Sequence, residues 1–218
     1  MKCGTVTLPQ AVDAKPMRAR IAGVVLAAGQ SSRMGTNKLL ADFHDQPLIA
    51  ATLSQITASG VDAIFVITGH QEAEVKAACK GSRITFIHNP RYGEGLSTSV
   101  QAGIAAAQNF DAAFICLGDM PLIRAEDLAR MIEAFSVEDG RTLIVPARGR
   151  KLGNPVLWGR EHFPALMALK GDRGARSLLE ANRDMITEIE VTHDGIMRDA
   201  DTPEALEEMR VMSAVQKT

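Results

Sequence analysis

With 218 residues, 46% of them hydrophobic and 23% charged, the chain has enough apolar material to bury one sizeable core. A net charge of −2 excludes a nucleic-acid binder that relies on a broad basic face, and no apolar run has membrane-spanning length. Three widely spaced cysteines (Cys3, Cys79 and Cys116) read as reduced thiols of a cytoplasmic protein, and no Cys or His pair has zinc-ligand spacing.

Residues 1–20 lack a continuous apolar stretch, so they read as an extension ahead of a single domain over 21–218 and not as a secretory signal. From there, short β-branched apolar runs recur: "IAGVVLAA" from Ile21, "AIFVIT" from Ala63, "ITFIH" from Ile84, "AAFICL" from Ala112 and "TLIVP" from Thr142. Continuous apolar runs of this length are strands of a parallel sheet buried on both faces. Helix-period segments separate them. Pro47 opens the first and Gly60 closes it, "QEAEVKAACKG" ends at Gly81, "LSTSVQAGIAAAQ" follows a glycine-rich turn and "AEDLARMIEAF" follows Pro121. Strand and helix alternating four times predict right-handed crossovers and an α/β fold with a doubly wound, mostly parallel, Rossmann-like sheet between two helical layers. The last third is less regular: "GNPVLWG", a helix near "REHFPALMAL", a polar "GDRGAR", a strand near "MITEIEV" and a terminal helix from Pro203.

Ligands of open α/β sheets sit beyond the carboxyl ends of the strands, and the loops there hold the polar residues of interest. After the first strand comes "LAAGQSSRMGTNK", residues 26–38. Five residues separate Gly29 from Gly35, which fits neither a Walker A loop nor a dinucleotide fingerprint. Its small residues still allow a ligand close to the backbone, Arg33 offers a planar fork for phosphate oxygens, and Lys38 a movable charge. The alternative is a tight strand-to-helix connection with solvated cations. After the fourth strand, "LGDMP" puts Asp119 at the sheet edge, where a carboxylate can hold Mg²⁺ against phosphate oxygens or cap a turn before Pro121. "RDADTPEAL" offers Asp199 or Asp201 as a second acid, and Asp201 could equally cap the terminal helix.

Together "LAAGQSSRMGTNKLL", "QPLI", "NPRYGEGLSTSVQAGI", "LGDMPLI", "GNPVLW", "GDRGARSLL" and "DADTPEAL" resemble the molybdenum cofactor cytidylyltransferases, within the sugar-nucleotidyltransferase-like superfamily. The resemblance runs in register from about residue 21 to about residue 209. It implies transfer of CMP from CTP to the phosphate of molybdopterin, with release of pyrophosphate. It also implies Mg²⁺, with Mn²⁺ as a substitute, held by Asp119 and Asp201, with Arg33, Lys38 and Asp119 as the catalytic set. Leu26, Ala27, Ala28, Gly29, Ser31, Ser32, Gly69, Gly95, Ser99 and Gly118 correspond to nucleotide-binding positions, and Asn154, Asp172 and Arg176 to acceptor-side ones. For those three acceptor-side residues, loop turn chemistry is the competing reading. The "LAAG" and "PLI" patterns match the CTP-using members, where GTP-using relatives carry a glycine-richer first motif. Leu96 stands where relatives often have methionine, a volume-conserving departure.

Partners implied are CTP, molybdopterin or its molybdenum form, and a recipient molybdoenzyme or its chaperone, with no nucleic acid and no membrane. Three alternatives stand beside this reading: a GTP-using molybdopterin guanylyltransferase, a cytidylyltransferase for another small phosphate, and a nucleotide-binding regulator without turnover. The absence of a Pro-Lys-Gln after Arg-Met-Gly argues against the methylerythritol phosphate group, which shares the Ser99-Val100 to Gly103 run. Retention of Arg33, Lys38 and Asp119 argues against the regulator.

Overall fold

A computed structural model describes residues 18–29, 37–79, 81, 83–172 and 175–215. Seven of the eight strands lie in the order β3-β2-β1-β4-β7-β5-β6, and β8 pairs with β5. The strands are β1 (Ile21–Ala27), β2 (Ala63–Thr68), β3 (Ile84–His88), β4 (Ala112–Leu117), β5 (Leu143–Arg148), β6 (Lys151–Leu152), β7 (Val156–Gly159) and β8 (Ile186–Glu190). The helices are α1 (Leu48–Ala58), α2 (Glu72–Ala78), α3 (Leu96–Ala106), α4 (Ala125–Ala134), α5 (Phe163–Met167), α6 (Arg176–Ala181) and α7 (Pro203–Val215).

The two-residue period of a strand divides its side chains between the two faces of the sheet. Along β1, Ile21, Val25 and Ala27 enter one core, while Ala22, Val24 and Leu26 enter another. β4 repeats the division, with Phe114 and Cys116 on the first side and Ala113 and Ile115 on the second. Ile49, Leu53 and Ile56 of α1, Val75 of α2, and Leu128 and Met131 of α4 cover the first face. Val100 and Ile104 of α3, with Phe163 and Leu166 of α5, cover the second. A strand apolar at every position is the consequence of a sheet covered on both sides, and β1 is buried over all seven residues.

The parallel register holds from β3 through β2 and β1 to β4. Beyond β4 the sheet is mixed. β7 runs antiparallel between β4 and β5, so β5 points the same way as β4 without touching it in sequence order. The cause is a two-residue reversal at Gly149 and Arg150, which pairs Arg148 with Lys151 and sends the chain back along β5. β8 then adds in parallel along the other edge of β5. The polar "GDRGAR" segment leads into α6, a helix that the sequence pattern did not predict. Trp158 and Phe163 are packing residues of the second core, as their surroundings in the sequence suggest. Among the described residues no helix is long and apolar enough to cross a membrane.

A third, smaller core matters most for function. Phe43, Leu48 and Ala51 meet Leu122, Ala200, Leu206 and Met209 there, fastening the segment before α7 to the loop after β4.

Candidate functional site

At the carboxyl edge of the sheet, the ends of β1 and β4 open into a cleft of about 230 Å³. Its lining includes Leu26, Ala28, Gly29, Lys38, Asp119, Asp199 and Asp201, with Leu39, Leu96 and Leu117 supplying an apolar wall.

Each polar group is delivered by a distinct local device. Asp119 follows β4 by two residues, and the Gly118 amide donates to the Leu26 carbonyl at 3.1 Å, carrying the β1–β4 pairing one residue past the strands. Asp119 is 5% exposed and its own carbonyl accepts from the Ala200 amide at 3.1 Å. That bond ties the two acidic segments together. Ala200 is fully buried in the third core, while its neighbours Asp199 and Asp201 both line the cleft. Alternation of small apolar and acidic residues thus puts two carboxylates on one side and the anchor on the other.

Lys38 comes from a short 3-10 turn, Lys38–Leu40. Asn37 caps it, its side-chain oxygen accepting from the Leu39 amide at 3.1 Å, and Leu39 is buried. With its base so fixed, the Lys38 side chain reaches across the cleft to pair with both Asp119 and Asp201, the latter at 2.6 Å. Burial alone would draw the Lys38 ammonium down; the Asp119 and Asp201 carboxylates more than offset this and leave it above its ordinary value. Asp199 carries the opposite imbalance. Burial, followed by the charges of Asp119 and Asp201, pushes its carboxyl up, and Lys38 only partly relieves it.

Oxygens of Asp119, Asp199 and Asp201 lie within 4.8 Å of one another. Among the described residues three carboxylates gather beside one ammonium, a hard-oxygen donor set that suits a divalent cation of the Mg²⁺ or Mn²⁺ type. Asp199 is not one choice of two for the second acid, as the sequence left it; the fold brings both acids to Asp119.

The other residues singled out in the sequence are placed unevenly. Leu26, Ala28 and Gly29 reach the cleft, whereas the Ala27 side chain turns into the first core. Arg33, Ser31 and Ser32 lie outside the described residues. Gly69 is buried at the end of β2. Gly95 has φ of +112°, a conformation that favours glycine, and starts α3 beside Asp172. Asp172 accepts from the Leu96 amide at 3.3 Å and the Gly171 carbonyl accepts from the Ser97 amide at 3.1 Å, so this loop holds the first turn of α3. Ser99 is buried and its hydroxyl accepts from the Asn89 amide at 3.0 Å. Asn154 is exposed, with its amide donating to the Ile196 carbonyl at 2.8 Å. The Arg176 side chain is 88% exposed at the start of α6.

Two features escaped the sequence reading. Asn89, 2% exposed at the end of β3, donates to Thr98 at 2.9 Å and to Ser99, and accepts from the Arg91 amide at 3.0 Å. It therefore organises the whole loop between β3 and α3; its position at a strand's carboxyl end before a proline was the available signal. His193 and Asp127 form a buried pair at 2.6 Å. The Gly195 amide donates to His193 Nδ1 at 3.0 Å, which leaves Nε2 as the nitrogen that donates to Asp127. A Cβ on Gly195 would stand 2.0 Å from the Leu122 carbonyl oxygen, so only glycine lets this segment lie against the loop after β4. The pair and the glycine together dock the run that ends in Asp199 and Asp201.

Comparison with known proteins decides the family. The MobA-like NTP transferase domain matches residues 23–186, three quarters of the chain. The chain belongs to the MobA-like NTP transferase family. Among curated relatives of this NTP transferase, the molybdenum cofactor cytidylyltransferase of Escherichia coli (strain K12) is 31% identical over 182 residues, covering 83% of this chain and 91% of its own. The purine catabolism protein PucB of Bacillus subtilis (strain 168) is 28% identical over 202 residues, covering 86% and 95%. Among solved structures, the homologue of Mycobacterium tuberculosis Rv0371c from Mycobacterium sp. strain JC1 is 30% identical with a TM-score of 0.79, over 93% of this chain and all of that one. Rv0371c of M. tuberculosis H37Rv, solved in complex with manganese, is 25% identical with a TM-score of 0.73, over 88% and 98%. The expected doubly wound nucleotidyltransferase architecture is the one observed.

Proposed function

We propose that this NTP transferase moves CMP from CTP to the phosphate of molybdopterin, giving the cytosine dinucleotide form of the cofactor and pyrophosphate. The observation that carries the proposal is the meeting of Lys38 with Asp119 and Asp201 at the carboxyl edge of the sheet, below the "LAAG" loop. The 31% identity to a molybdenum cofactor cytidylyltransferase over nearly its whole length supports the acceptor. The "LAAG" and "PLI" patterns support the base.

Two polyanions must meet in this reaction, and an ionised phosphate needs no general base to attack in line. The protein's work is then positioning and charge compensation. Ala28 and Gly29 let the triphosphate lie close to the backbone, where amides of the loop donate to it. Lys38 and, from the loop outside the described residues, Arg33 neutralise the phosphates. Asn37, beside Lys38, adds a buried side-chain NH₂ that has no hydrogen-bond partner among the described residues. Leu39, Leu96 and Leu117 keep water off one wall. Asp119, Asp199 and Asp201 would hold a divalent cation, which when bound supplies charge neutralisation and Lewis-acid polarisation at phosphate oxygens. In this reading Asn154, Asp172 and Arg176 serve the acceptor side, Asp172 through the loop it holds against Gly95.

The test is pyrophosphate release from CTP, GTP and ATP in competition, with and without molybdopterin. Release that requires both CTP and molybdopterin supports the proposal. Release with GTP in preference to CTP replaces it with guanylyl transfer, and no release with any nucleotide removes turnover altogether.

A further inference from the structure

The position of Lys38 has a consequence that a phosphate-binding role does not require. Its ammonium is not held out over the cleft awaiting a triphosphate; it is bonded to carboxylates on both acidic segments, Asp119 and Asp201, whose oxygens converge with those of Asp199. A cation entering that donor set needs the same lone pairs. We propose that Lys38 is the resident occupant of the divalent-cation seat, so that Lys38 and the metal compete for Asp119 and Asp201, and metal entry requires the Lys38 side chain to swing out into the cleft. This rests on the metal reading given above and goes beyond it.

The geometry restricts the exchange to one side chain. Leu39 is buried and Asn37 caps the turn, so the Lys38 backbone is pinned and the ammonium moves only by rotation about its four-carbon stem. The backbone that carries the carboxylates is held as well: Asp119 follows β4 and bonds through its carbonyl to the Ala200 amide, and Asp199 and Asp201 lie on either side of buried Ala200. A rigid acidic seat with a movable ammonium lets one charge substitute for another without rearranging the fold. Removing all cations would leave the carboxylates facing one another, and the ammonium prevents this while the metal is away. Once displaced, Lys38 lies in the cleft where the proposed triphosphate would meet it. Metal and triphosphate are therefore linked, each making the other's site available, and the linkage is reciprocal.

Two measurements test this without relying on turnover. The first is Mn²⁺ binding by nucleotide-free protein, followed through the paramagnetic resonance signal of free Mn²⁺, for the natural chain and for Lys38→Met. With the competitor gone, the variant is expected to bind Mn²⁺ about tenfold more tightly. Equal or weaker binding by a folded variant overturns the proposal while leaving the metal reading intact. Absence of Mn²⁺ binding in both proteins overturns both. The second uses the natural chain alone, so it decides even where the variant fails to fold. Acetylation of individual lysines by acetic anhydride is read by mass spectrometry with and without saturating Mn²⁺. Faster modification of Lys38 with Mn²⁺ present is the expected result, and an unchanged or slower rate overturns the proposal.

Discussion

Two ionic groups sit a few residues apart in sequence, one buried against α4 and one opening into the cleft, and they are built on opposite plans. His193 and Asp127 form a charge-complementary pair, each side chain about nine-tenths buried, with the second imidazole nitrogen occupied by the Gly195 amide and Arg130 adding a half-exposed cation to the other Asp127 oxygen at 3.3 Å. In the acidic seat three carboxylates converge beside Lys38, and the crowding is visible in Asp199, whose carboxyl is pushed up by burial and by its acidic neighbours. A buried pair that is broken leaves an uncompensated charge and is costly, so a matched pair serves to hold loops in place. A cluster of like charges costs stability and gains a place for a cation. The difference separates a group that positions from a group that reacts.

Substitution in the acidic cluster should therefore cost activity more than stability. Asp119→Ala is expected to lower turnover in the pyrophosphate-release assay on the order of 10²-fold or more, with the fold retained. Arg33→Ala should do the same. Near-normal turnover in either would remove that residue from the catalytic set. The matched pair should respond in the other currency. His193→Ala leaves the Asp127 carboxylate with only the half-exposed Arg130 as its cation, and urea unfolding should show a loss of about 2 kcal/mol. An unchanged urea midpoint would mean that the pair does not fasten the acidic run. A third variant sharpens the contrast. Asp199→Asn removes a charge that the folded state disfavours, so at neutral pH it should stabilise the chain slightly, by about 0.5 kcal/mol after screening, while weakening Mn²⁺ binding. Loss of stability instead would show that the cluster is a matched network after all.

The sequence made the two plans legible to different degrees. The parallel half of the sheet was readable because burial on both faces forces unbroken apolar runs, as in β1 and β4. β7 was harder, since four residues between Pro155 and Arg160 carry little period, and its antiparallel place depends on the Arg148–Lys151 reversal. Asp119 and Lys38 could be picked out because they lie just beyond strand ends, where ligands of such sheets bind. Their direct contact could not, because it joins positions 81 residues apart whose neighbours Leu39 and Met120 meet only in the folded first core. His193 read as one scattered histidine among five, since its partner lies 66 residues away on α4. Asn89 was hidden for a related reason: its role is a network inside a loop, and only the folded loop brings Thr98 and Ser99 to it. Chemistry-bearing residues at sheet edges follow a positional rule, whereas positioning residues are defined by tertiary contacts.

A further small effect concerns a buried histidine whose ring, among the described residues, has no carboxylate partner. His162 is 8% exposed, its Nε2 lies 3.3 Å from the Thr142 hydroxyl, and its ring meets Trp158 edge to face at 5.8 Å. Where His193 has Asp127, His162 has only a neutral hydroxyl. Burial lowers its affinity for a proton, and the charge of neighbouring Glu161 only partly restores it. The unfolded chain thus takes up a proton near pH 6.5 that the folded chain still refuses. The contribution of His162 to stability is present above that pH and is lost as pH falls through the lower folded-state value. Urea unfolding between pH 5 and 7.5 should show the natural chain gaining stability relative to His162→Gln as pH rises, by less than about 1 kcal/mol in total. A difference that is flat across this range, or that shrinks as pH rises, would mean that the imidazole accepts its proton inside the fold, and the contrast with the paired His193 would have to be redrawn.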